Sequence, residues 1–298
     1  MKKKYFGVVA PLVTPINSSG TIDNASVERL ITHVIDANNY PFILGTTGEI
    51  ASVSQKNKEQ LAQVAVKVAN RKKTLLAGIT DNCIENTIYT AKIFSEIGVD
   101  IFVVHLPYFL PIGDDQMLRY FENIANNSPR PIMIYNIVSI THMSIPINVI
   151  EKLSYHPNII GLKDSEKDWD RHQRMAKLFK DREDFVLFIG WTNKSSESIA
   201  IGFDGIIPNT ANIVPQLFES LYEAASSGNT DRALMLQEKS EKLSDLVQNN
   251  KSMTRTIPEL KAIMDHLNIC DPYVFPPLES LKKSESEQLF HKFNKLNI

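Results

Sequence analysis

Short apolar runs alternate along the chain with longer segments in which apolar residues recur every three or four positions. Eight such runs, each four to eight residues long, precede residue 209. Between them lie helical patterns such as the one in which Val27, Leu30, Ile31 and Val34 share one face. The pattern predicts strands that alternate with helices, the strands being residues 7–14, 42–45, 74–80, 100–106, 131–136, 159–164, 185–190 and 205–208.

Alternation of this kind is typical of a parallel sheet covered by helices. Eight strand–helix units are the number found in a closed (β/α)8 barrel. The alternative, an open doubly wound sheet, usually carries a G-x-G-x-x-G fingerprint, which this sequence lacks. We therefore predict an α/β protein with a (β/α)8 TIM barrel in residues 1–226 and a C-terminal helical extension in residues 227–298. The last predicted helices are residues 216–226, 231–248, 258–267 and 277–296.

The composition is that of a soluble globular protein rather than of a nucleic-acid-binding or membrane protein. Of 298 residues, 43% are hydrophobic and 22% are charged, and the net charge of −2 indicates no basic surface for nucleic acid or an anionic membrane. No apolar stretch reaches the roughly 18 residues of a membrane-spanning helix. The two cysteines, Cys83 and Cys270, have neither disulfide-framework nor metal-site spacing, which favours a reducing cytoplasm.

The second predicted strand ends in the sequence G-T-T-G-E at positions 45–49. Because the active site of a (β/α)8 barrel lies where the strands end, this loop is a candidate for substrate binding. Its two glycines permit a tight turn whose backbone N–H groups converge on an anion, and such a turn suits a carboxylate at least as well as a phosphate. The alternative is an ordinary polar loop in which Glu49 supports the start of the next helix.

The sixth predicted strand carries a lysine near its end, at position 163. Lysine is depleted in strands and is almost never fully buried. Because side chains alternate along a strand and Leu162 faces the outer helices, Lys163 is expected to point into the barrel. Burial would lower the pKa of its amine, and a neutral amine can attack a carbonyl to form a Schiff base. The alternative is a strand-end lysine whose amine reaches solvent.

Other strand ends supply further candidates. Tyr135 ends the fifth strand, and its phenol can donate or accept a proton. His105 and His142 lie near the ends of strands four and five and could touch a substrate, although a structural role is the alternative for each. The acidic run at 164–170 lacks the glycine and the distal glutamate of a calcium loop, so a solvated helix start is predicted there.

Taken in order, these motifs resemble the dihydrodipicolinate synthase / N-acetylneuraminate lyase family, the pyruvate-dependent class I aldolases. The resemblance runs nearly end to end. The family implies a (β/α)8 barrel with C-terminal helices, usually assembled as a homotetramer, with a dimer as the alternative. The motifs that carry the resemblance are A-P-L-V-T-P at 10–15, G-T-T-G-E at 45–49, P-Y at 107–108, Y-N at 135–136, G-L-K-D at 161–164 and G-I-I-P-N-T-A-N at 205–212.

The resemblance also implies a role for each candidate. Lys163 matches the lysine that forms the Schiff base, and Tyr135 matches the tyrosine that shuttles protons. Thr46 and Thr47 match the residues that hold the carboxylate of a small 2-keto acid through their N–H groups, with the Thr47 hydroxyl in the proton relay. The covalent imine replaces any metal or organic cofactor. Further positions implied to line the substrate pocket are Gly48, Tyr108, Gly190 and Ile207.

Three positions depart from the family's pattern. Ile140 stands where dihydrodipicolinate synthases carry an arginine that binds the carboxylate of the aldehyde substrate, and an alkyl chain cannot replace a guanidinium. Val138 replaces the usual proline of the same loop. Phe109 stands where a tyrosine commonly completes the proton relay across a subunit interface, and it has no hydroxyl.

These departures favour a Schiff-base lyase that acts on a 2-keto-3-deoxy-sugar acid or a sialate-like substrate and releases or uses pyruvate. The neutral polar side chains of residues 191–193 suit the hydroxyls of a sugar. Three alternatives remain: a dihydrodipicolinate synthase, a keto-sugar-acid dehydratase, and a non-catalytic relative that binds a keto acid.

Overall fold

The computed structural model describes residues 3–298, and their eight parallel strands close into a barrel in chain order. The last strand pairs with the first, which completes the ring. The predicted (β/α)8 barrel is therefore confirmed, and each strand overlaps its predicted run. The strands are β1 (Gly7–Pro11), β2 (Tyr40–Ile43), β3 (Leu76–Gly78), β4 (Ile101–His105), β5 (Ile132–Asn136), β6 (Ile159–Asp164), β7 (Val186–Ile189) and β8 (Gly205–Ile206).

Helices cover the outside of the barrel, and three more follow the last strand–helix unit. Local capping explains several starts. The Asp23 side chain accepts hydrogen bonds from two N–H groups of the first helix, and the Ser54 side chain accepts one in the second. The helices are α1 (Asn24–Asp36), α2 (Gln55–Ala69), α3 (Ile84–Ile97), α4 (Asp114–Asn127), α5 (Val138–Thr141), α6 (Ile147–Leu153), α7 (Trp169–Phe179), α8 (Ser195–Ala200), α9 (Pro215–Ser226), α10 (Thr230–Val247), α11 (Met253–His266) and α12 (Lys283–Asn294).

Two predicted helix starts in the C-terminal extension are wrong, and proline is the reason in both cases. Proline favours the first turn of a helix, so residue 258 was an attractive start. Helix α11 instead begins at Met253 and holds Pro258 in its interior. Helix α12 begins at Lys283 rather than at residue 277, because the segment that contains Pro276 and Pro277 forms a non-helical connection.

Side-chain alternation divides the strand residues between two cores. Ile134 and Leu162 face outward and pack in the large core beneath the helices, whereas residues such as Phe42, Met133 and Phe188 fill the barrel interior. Glycines make room for this filling. A Cβ atom at Gly205 would lie 2.2 Å from the Phe188 ring. The space at the N-terminal ends of the strands measures only about 10 Å³, so the described side chains leave little room at this end of the barrel.

The C-terminal helices extend the barrel on one side. Helix α10 packs against α9, and α11 packs against α12. Within the described part of the chain, no helix is both long and apolar enough to cross a membrane. Residues of α11 and of the segment after it reach the open end of the barrel, where the strands end.

Candidate active site

Lys163 points into the barrel, as alternation predicts, and is only 4% exposed. Strand register sets Tyr135 of β5 beside it, and the Lys163 Nζ lies 3.8 Å from the centroid of the Tyr135 ring. The Phe42 ring lies 5.0 Å away. Burial lowers the pKa of the Lys163 amine, and Tyr135 opposes the shift only in part. Burial thus shifts the amine toward its neutral, nucleophilic form, while the two ring faces act in the opposite direction.

A second buried lysine, Lys261, shows the usual way in which a buried ammonium is stabilised, which is an ion pair. Lys261 of α11 is 0% exposed, and its Nζ lies 2.6 Å from Glu49 Oε1. It also donates a hydrogen bond of 2.7 Å to the carbonyl of Tyr273. Among residues 3–298, no carboxylate forms an equivalent ion pair with Lys163. The two amines are equally enclosed, but only Lys261 has a counter-charge.

His105 extends the same row of inward-facing side chains onto β4. It pairs in register with Tyr135, and the centroids of the two rings are 6.2 Å apart. Its Nδ1 lies 2.7 Å from the carbonyl oxygen of Leu106, which can only accept, so Nδ1 carries the proton. Burial lowers the pKa of His105 to about 4; the hydrogen bond to Leu106 opposes this shift and the nearby Lys163 adds to it. The ring is therefore neutral at neutral pH.

The threonine loop after β2 directs only part of its backbone at the site. The N–H groups of Gly48 and Ile50 bond to the Gly45 carbonyl at 3.0 and 3.4 Å, and that of Glu49 bonds to the Thr46 carbonyl at 3.1 Å. The N–H groups of Thr46 and Thr47 have no such partner in the described chain. The N–H groups of these two threonines are therefore available to an anion, but the loop does not offer a full ring of N–H groups.

The glycines of this loop provide space rather than unusual backbone angles. The left-handed conformations belong to Leu44 and Glu49, with φ of 56° and 58°. A Cβ atom at Gly48 would lie 2.8 Å from the Leu44 backbone nitrogen, and one at Gly78 of β3 would lie 2.0 Å from the Leu44 carbonyl oxygen. Glycine at these two positions lets the loop pack tightly across the end of β3.

Glu49 does not support the start of the next helix, so the alternative reading of this loop is wrong on that point. It precedes a short 3-10 helix, Ile50–Ser52, without capping it. Its carboxylate turns instead to the C-terminal extension, where it pairs with Lys261 and accepts a hydrogen bond of 2.7 Å from the Phe275 N–H. The loop is thereby tied to the helices that follow the barrel.

A cavity of about 170 Å³ opens at the mouth of the barrel, and we call it the mouth cavity. The C-terminal extension supplies one of its walls. Lys163 and Tyr135 do not line it, but His105 does, and His105 packs against Tyr135. A larger open cleft of about 890 Å³ lies outside the barrel between α6 and α7 and contains none of the predicted site residues. The mouth cavity is lined by Thr46, Glu49, Ile50, Ala51, Ser52, Thr80, His105, Tyr108, Ile140, Met253, Thr254, Ile257 and Leu278.

The remaining candidates divide into two groups. Ile207 packs inside the barrel in the same cluster as Tyr135. Gly190 lies at the end of β7, where a Cβ atom would meet Ser165 Oγ at 2.0 Å. His142, by contrast, is exposed and does not line the mouth cavity.

The polar loop at 191–193 does not line the mouth cavity either. Its Thr192 carbonyl is occupied by hydrogen bonds from Ser195 and Gln237. The residues with hydroxyl groups that do line the cavity are instead Thr46, Ser52, Thr80, Tyr108 and Thr254. Sequence reasoning selected Thr46 and Tyr108 but not the other three, of which Ser52 and Thr254 lie outside the strand ends.

Sequence reasoning also missed a buried ionic network directly after Lys163. Asp164 is fully buried; Arg171 Nε donates to its Oδ2 at 2.9 Å and Asn136 Nδ2 donates to its Oδ1 at 3.1 Å. Burial alone would raise the pKa of Asp164. The hydrogen bond and charge of His172 and the charge of Arg171 outweigh burial, so the pKa of Asp164 is lowered. The predicted solvated helix start is correct for Asp168, which caps α7, and for Asp170, which is exposed in the first turn of that helix. The network fixes the strand end that carries the lysine.

Comparison with known proteins gives consistent results. A model of the dihydrodipicolinate synthetase family matches residues 4–295. A 4-hydroxy-tetrahydrodipicolinate synthase of Buchnera aphidicola is 30% identical over 236 residues, which cover 79% of this chain and 80% of that protein. An uncharacterized DapA-like lyase of Thermofilum pendens is 25% identical over 97% of this chain and 96% of that protein. The solved dihydrodipicolinate synthase of Bacteroides thetaiotaomicron is 28% identical, covers 99% of this chain and 100% of its own, and superposes with a TM-score of 0.93.

The fold and these matches define the class of protein: it is an enzyme, a class I lyase or aldolase of the Schiff-base type. The chain belongs to the dihydrodipicolinate synthetase family, so the family resemblance read from the sequence motifs is confirmed.

Proposed function

We propose that the protein makes or breaks a carbon–carbon bond in a 2-keto-3-deoxy-sugar acid or a sialate-like keto acid, through an imine on Lys163. The observation that carries the proposal is the state of that side chain: a buried amine, 3.8 Å from the Tyr135 ring centroid, with no carboxylate partner in the described chain. A buried lysine without a counter-charge costs stability and is expected where its nucleophilicity is used.

The reaction follows from the arrangement of the side chains. The neutral amine attacks the ketone carbon, and loss of water gives an imine that becomes protonated. In the cleavage direction the bond between C3 and C4 breaks as the C4 hydroxyl loses its proton, and the electron pair moves into an enamine. Protonation of the enamine at C3 and hydrolysis then release pyruvate and free the amine. No step requires a metal or an organic cofactor, because the imine accepts the electrons.

The other residues take roles that their positions support. The N–H groups of Thr46 and Thr47 bind the carboxylate of the keto acid, since they are the donors that the loop leaves free. Tyr135 lies next to the amine and moves the protons, with the Thr47 hydroxyl in the relay. Gly48 and Gly190 support the substrate site indirectly, because they let the threonine loop pack against Leu44 and the end of β7 pack against Ser165, and Ile207 packs beside Tyr135 inside the barrel.

The substrate proposal rests on the wall of the mouth cavity. Ile140 lines it, and its alkyl chain offers no charge to the carboxylate of aspartate semialdehyde. Several curated relatives are named as 4-hydroxy-tetrahydrodipicolinate synthases, so condensation of pyruvate with that aldehyde is the alternative. The dehydratase and the non-catalytic relative are further alternatives; the first would retain all the carbons of the substrate and the second would form no product.

Borohydride trapping tests the proposal directly. The protein is incubated with pyruvate and borohydride, digested, and mapped by mass spectrometry. We expect one reduced pyruvate adduct on the peptide that contains Lys163 and none on the peptide that contains Lys261, because that amine is ion-paired. Lys163→Met should form no adduct. An unmodified Lys163 peptide in the wild-type protein contradicts the proposal and favours a non-catalytic relative.

A substrate panel then separates the enzymatic alternatives. Keto-sugar acids that yield pyruvate and a shorter aldehyde identify a lyase, whereas loss of water with all carbons retained identifies a dehydratase. Turnover of pyruvate only with aspartate semialdehyde identifies the synthase.

A further inference from the structure

We propose that His105 selects the hydroxylated part of the substrate, with its Nε2 accepting a hydrogen bond from a substrate hydroxyl in the mouth cavity. This proposal rests on the proposed function, since it concerns the atoms beyond C3 of a keto acid bound to Lys163. It assigns to the site a residue that neither the family motifs nor the sequence departures single out.

The first support is the tautomer. The Leu106 carbonyl oxygen, 2.7 Å from Nδ1, fixes the ring proton on that nitrogen. Because the ring is neutral, its Nε2 carries a lone pair and no proton. His105 therefore presents an acceptor, and only an acceptor, at Nε2.

The second support is that this acceptor is unsatisfied by the protein. Within residues 3–298, His105 Nε2 receives no hydrogen bond, although the residue is only 7% exposed and lines the mouth cavity. An acceptor that has no protein partner at the wall of a cavity is available to a donor inside that cavity, either a water molecule or a substrate hydroxyl. The nearest ring there, that of Tyr108, has its centroid 6.3 Å from that of the imidazole.

The third support is position. His105, Tyr135 and Lys163 occupy matching registers on three neighbouring strands. Adjacent strands are about 4.8 Å apart, so His105 stands two strand spacings from the imine-forming residue. A keto acid joined to Lys163 through C2, with its carboxylate at the threonine loop, can extend its remaining carbons past Tyr135 toward His105.

The chemistry of this acceptor also separates two substrate classes. A hydroxyl donates to a neutral imidazole nitrogen, whereas a carboxylate would set its own lone pairs against that of Nε2. Ile140 on the same cavity wall adds no cation that could compensate. His105 thus favours an aldehyde that presents a hydroxyl to Nε2 over one that presents a carboxylate there.

Two substitutions separate the functions of the two ring nitrogens. In His105→Asn, the side-chain amide can still donate to the Leu106 carbonyl, but nothing occupies the Nε2 position. In His105→Gln, the amide oxygen can take the place of Nε2, while the donor to Leu106 is lost. The two variants are therefore matched in polarity and differ in which nitrogen they imitate.

The experiment measures kcat/KM for condensation of pyruvate with glyceraldehyde and with propionaldehyde, which lacks hydroxyls. The ratio of the two values cancels effects on imine formation. We expect His105→Asn to reduce the preference for glyceraldehyde about tenfold, the effect of one lost hydrogen bond of roughly 1.4 kcal/mol, and His105→Gln to retain most of it. Borohydride adducts on Lys163 should be equal in all three proteins.

The outcomes distinguish this inference from the proposed function. No adduct on wild-type Lys163 defeats both. A normal adduct together with an unchanged aldehyde preference in His105→Asn overturns the role of His105 alone. A normal adduct in a wild-type protein that condenses no glyceraldehyde overturns the role of His105 and the sugar-acid substrate, but not the imine on Lys163. If His105→Asn does not fold, loss of the preference in a folded His105→Gln protein overturns it instead.

Discussion

At the scale of single residues, the burial of Lys163 makes its amine reactive but lowers the stability of the barrel. Burial lowers the pKa of its amine below the ordinary 10.5, so the unfolded chain binds more protons than the folded one between the two pKa values. The free energy of unfolding therefore rises with pH in that window. At pH values below this window, the folded state is destabilised by the full cost of removing a charged amine from water.

We accordingly expect Lys163→Met to stabilise the protein near neutral pH by roughly 0.5–2 kcal/mol while abolishing activity. The gain should shrink as the pH approaches 10.5, because the unfolded lysine then loses its proton as well. Urea denaturation of both proteins at a series of pH values measures this difference. Replacing Lys180, an exposed lysine whose amine lies 3.8 Å from Asp181, by methionine is the control and should give no pH-dependent gain. A destabilised Lys163→Met protein across the whole range would refute this account.

The sequence predicts the role of a residue when that role depends on its neighbours in the chain, and not when it depends on contacts formed by folding. The inward direction of Lys163 follows from strand alternation, which involves only its immediate neighbours, and the structure agrees with it. The role of Asp164 could not be predicted in this way, because its partner Arg171 reaches it only after α7 has folded back. His105 was noticed as a strand-end histidine, but its tautomer depends on one carbonyl contact that sequence spacing does not reveal.

At the scale of elements, the buried pair between Glu49 and Lys261 joins the threonine loop to α11. Both side chains are almost completely buried, and the Glu49 carboxylate also accepts a hydrogen bond from the Phe275 N–H. The pair therefore determines how the C-terminal extension sits on the barrel mouth. It also fixes the loop on which Thr46 and Thr47 are carried.

Because removal of one partner leaves an uncompensated buried charge, Lys261→Met should lower the free energy of unfolding by about 3–5 kcal/mol. The double variant Glu49→Gln with Lys261→Met should be more stable than Lys261→Met alone, since a neutral amide can still accept from Phe275. Chemical denaturation of both single variants and the double variant gives the coupling energy. Strictly additive effects would mean that the two residues do not act as a pair.

The bounds of elements were predicted well in the barrel and less well beyond it. Each barrel strand is a buried apolar run, and the alternation of eight runs leaves few other architectures. Strand β2 begins at Tyr40, two residues before its predicted run. The predicted run begins after Pro41 because proline is uncommon inside strands, yet Pro41 belongs to β2. In α11 the same residue type misled in the opposite sense, since Pro258 was expected to open the helix. Tertiary packing overrides both local preferences.

At the scale of the whole molecule, the loop after β4 presents an apolar surface next to the site. Phe109 is 80% exposed and Leu110 is 66% exposed, and the adjacent Tyr108 lines the mouth cavity. Large neighbouring hydrophobic side chains on a surface commonly mark a site of association. Together with the family resemblance, this surface supports the proposal that the chain forms a homo-oligomer, a dimer or a tetramer, in which a second copy covers the loop.

Sedimentation velocity tests this proposal. The wild-type protein should sediment as a multiple of the chain mass, and the double variant Phe109→Ser with Leu110→Ser should shift toward the single chain, because the apolar contact is lost. Tyr89→Ser, which removes an exposed aromatic residue from α3, is the control and should leave the mass unchanged. The dissociated variant should also lose activity while its Lys163 still traps pyruvate, since Tyr108 lines the cavity beyond the lysine. A wild-type protein that sediments as a single chain, or a double variant of unchanged mass, contradicts association through this loop.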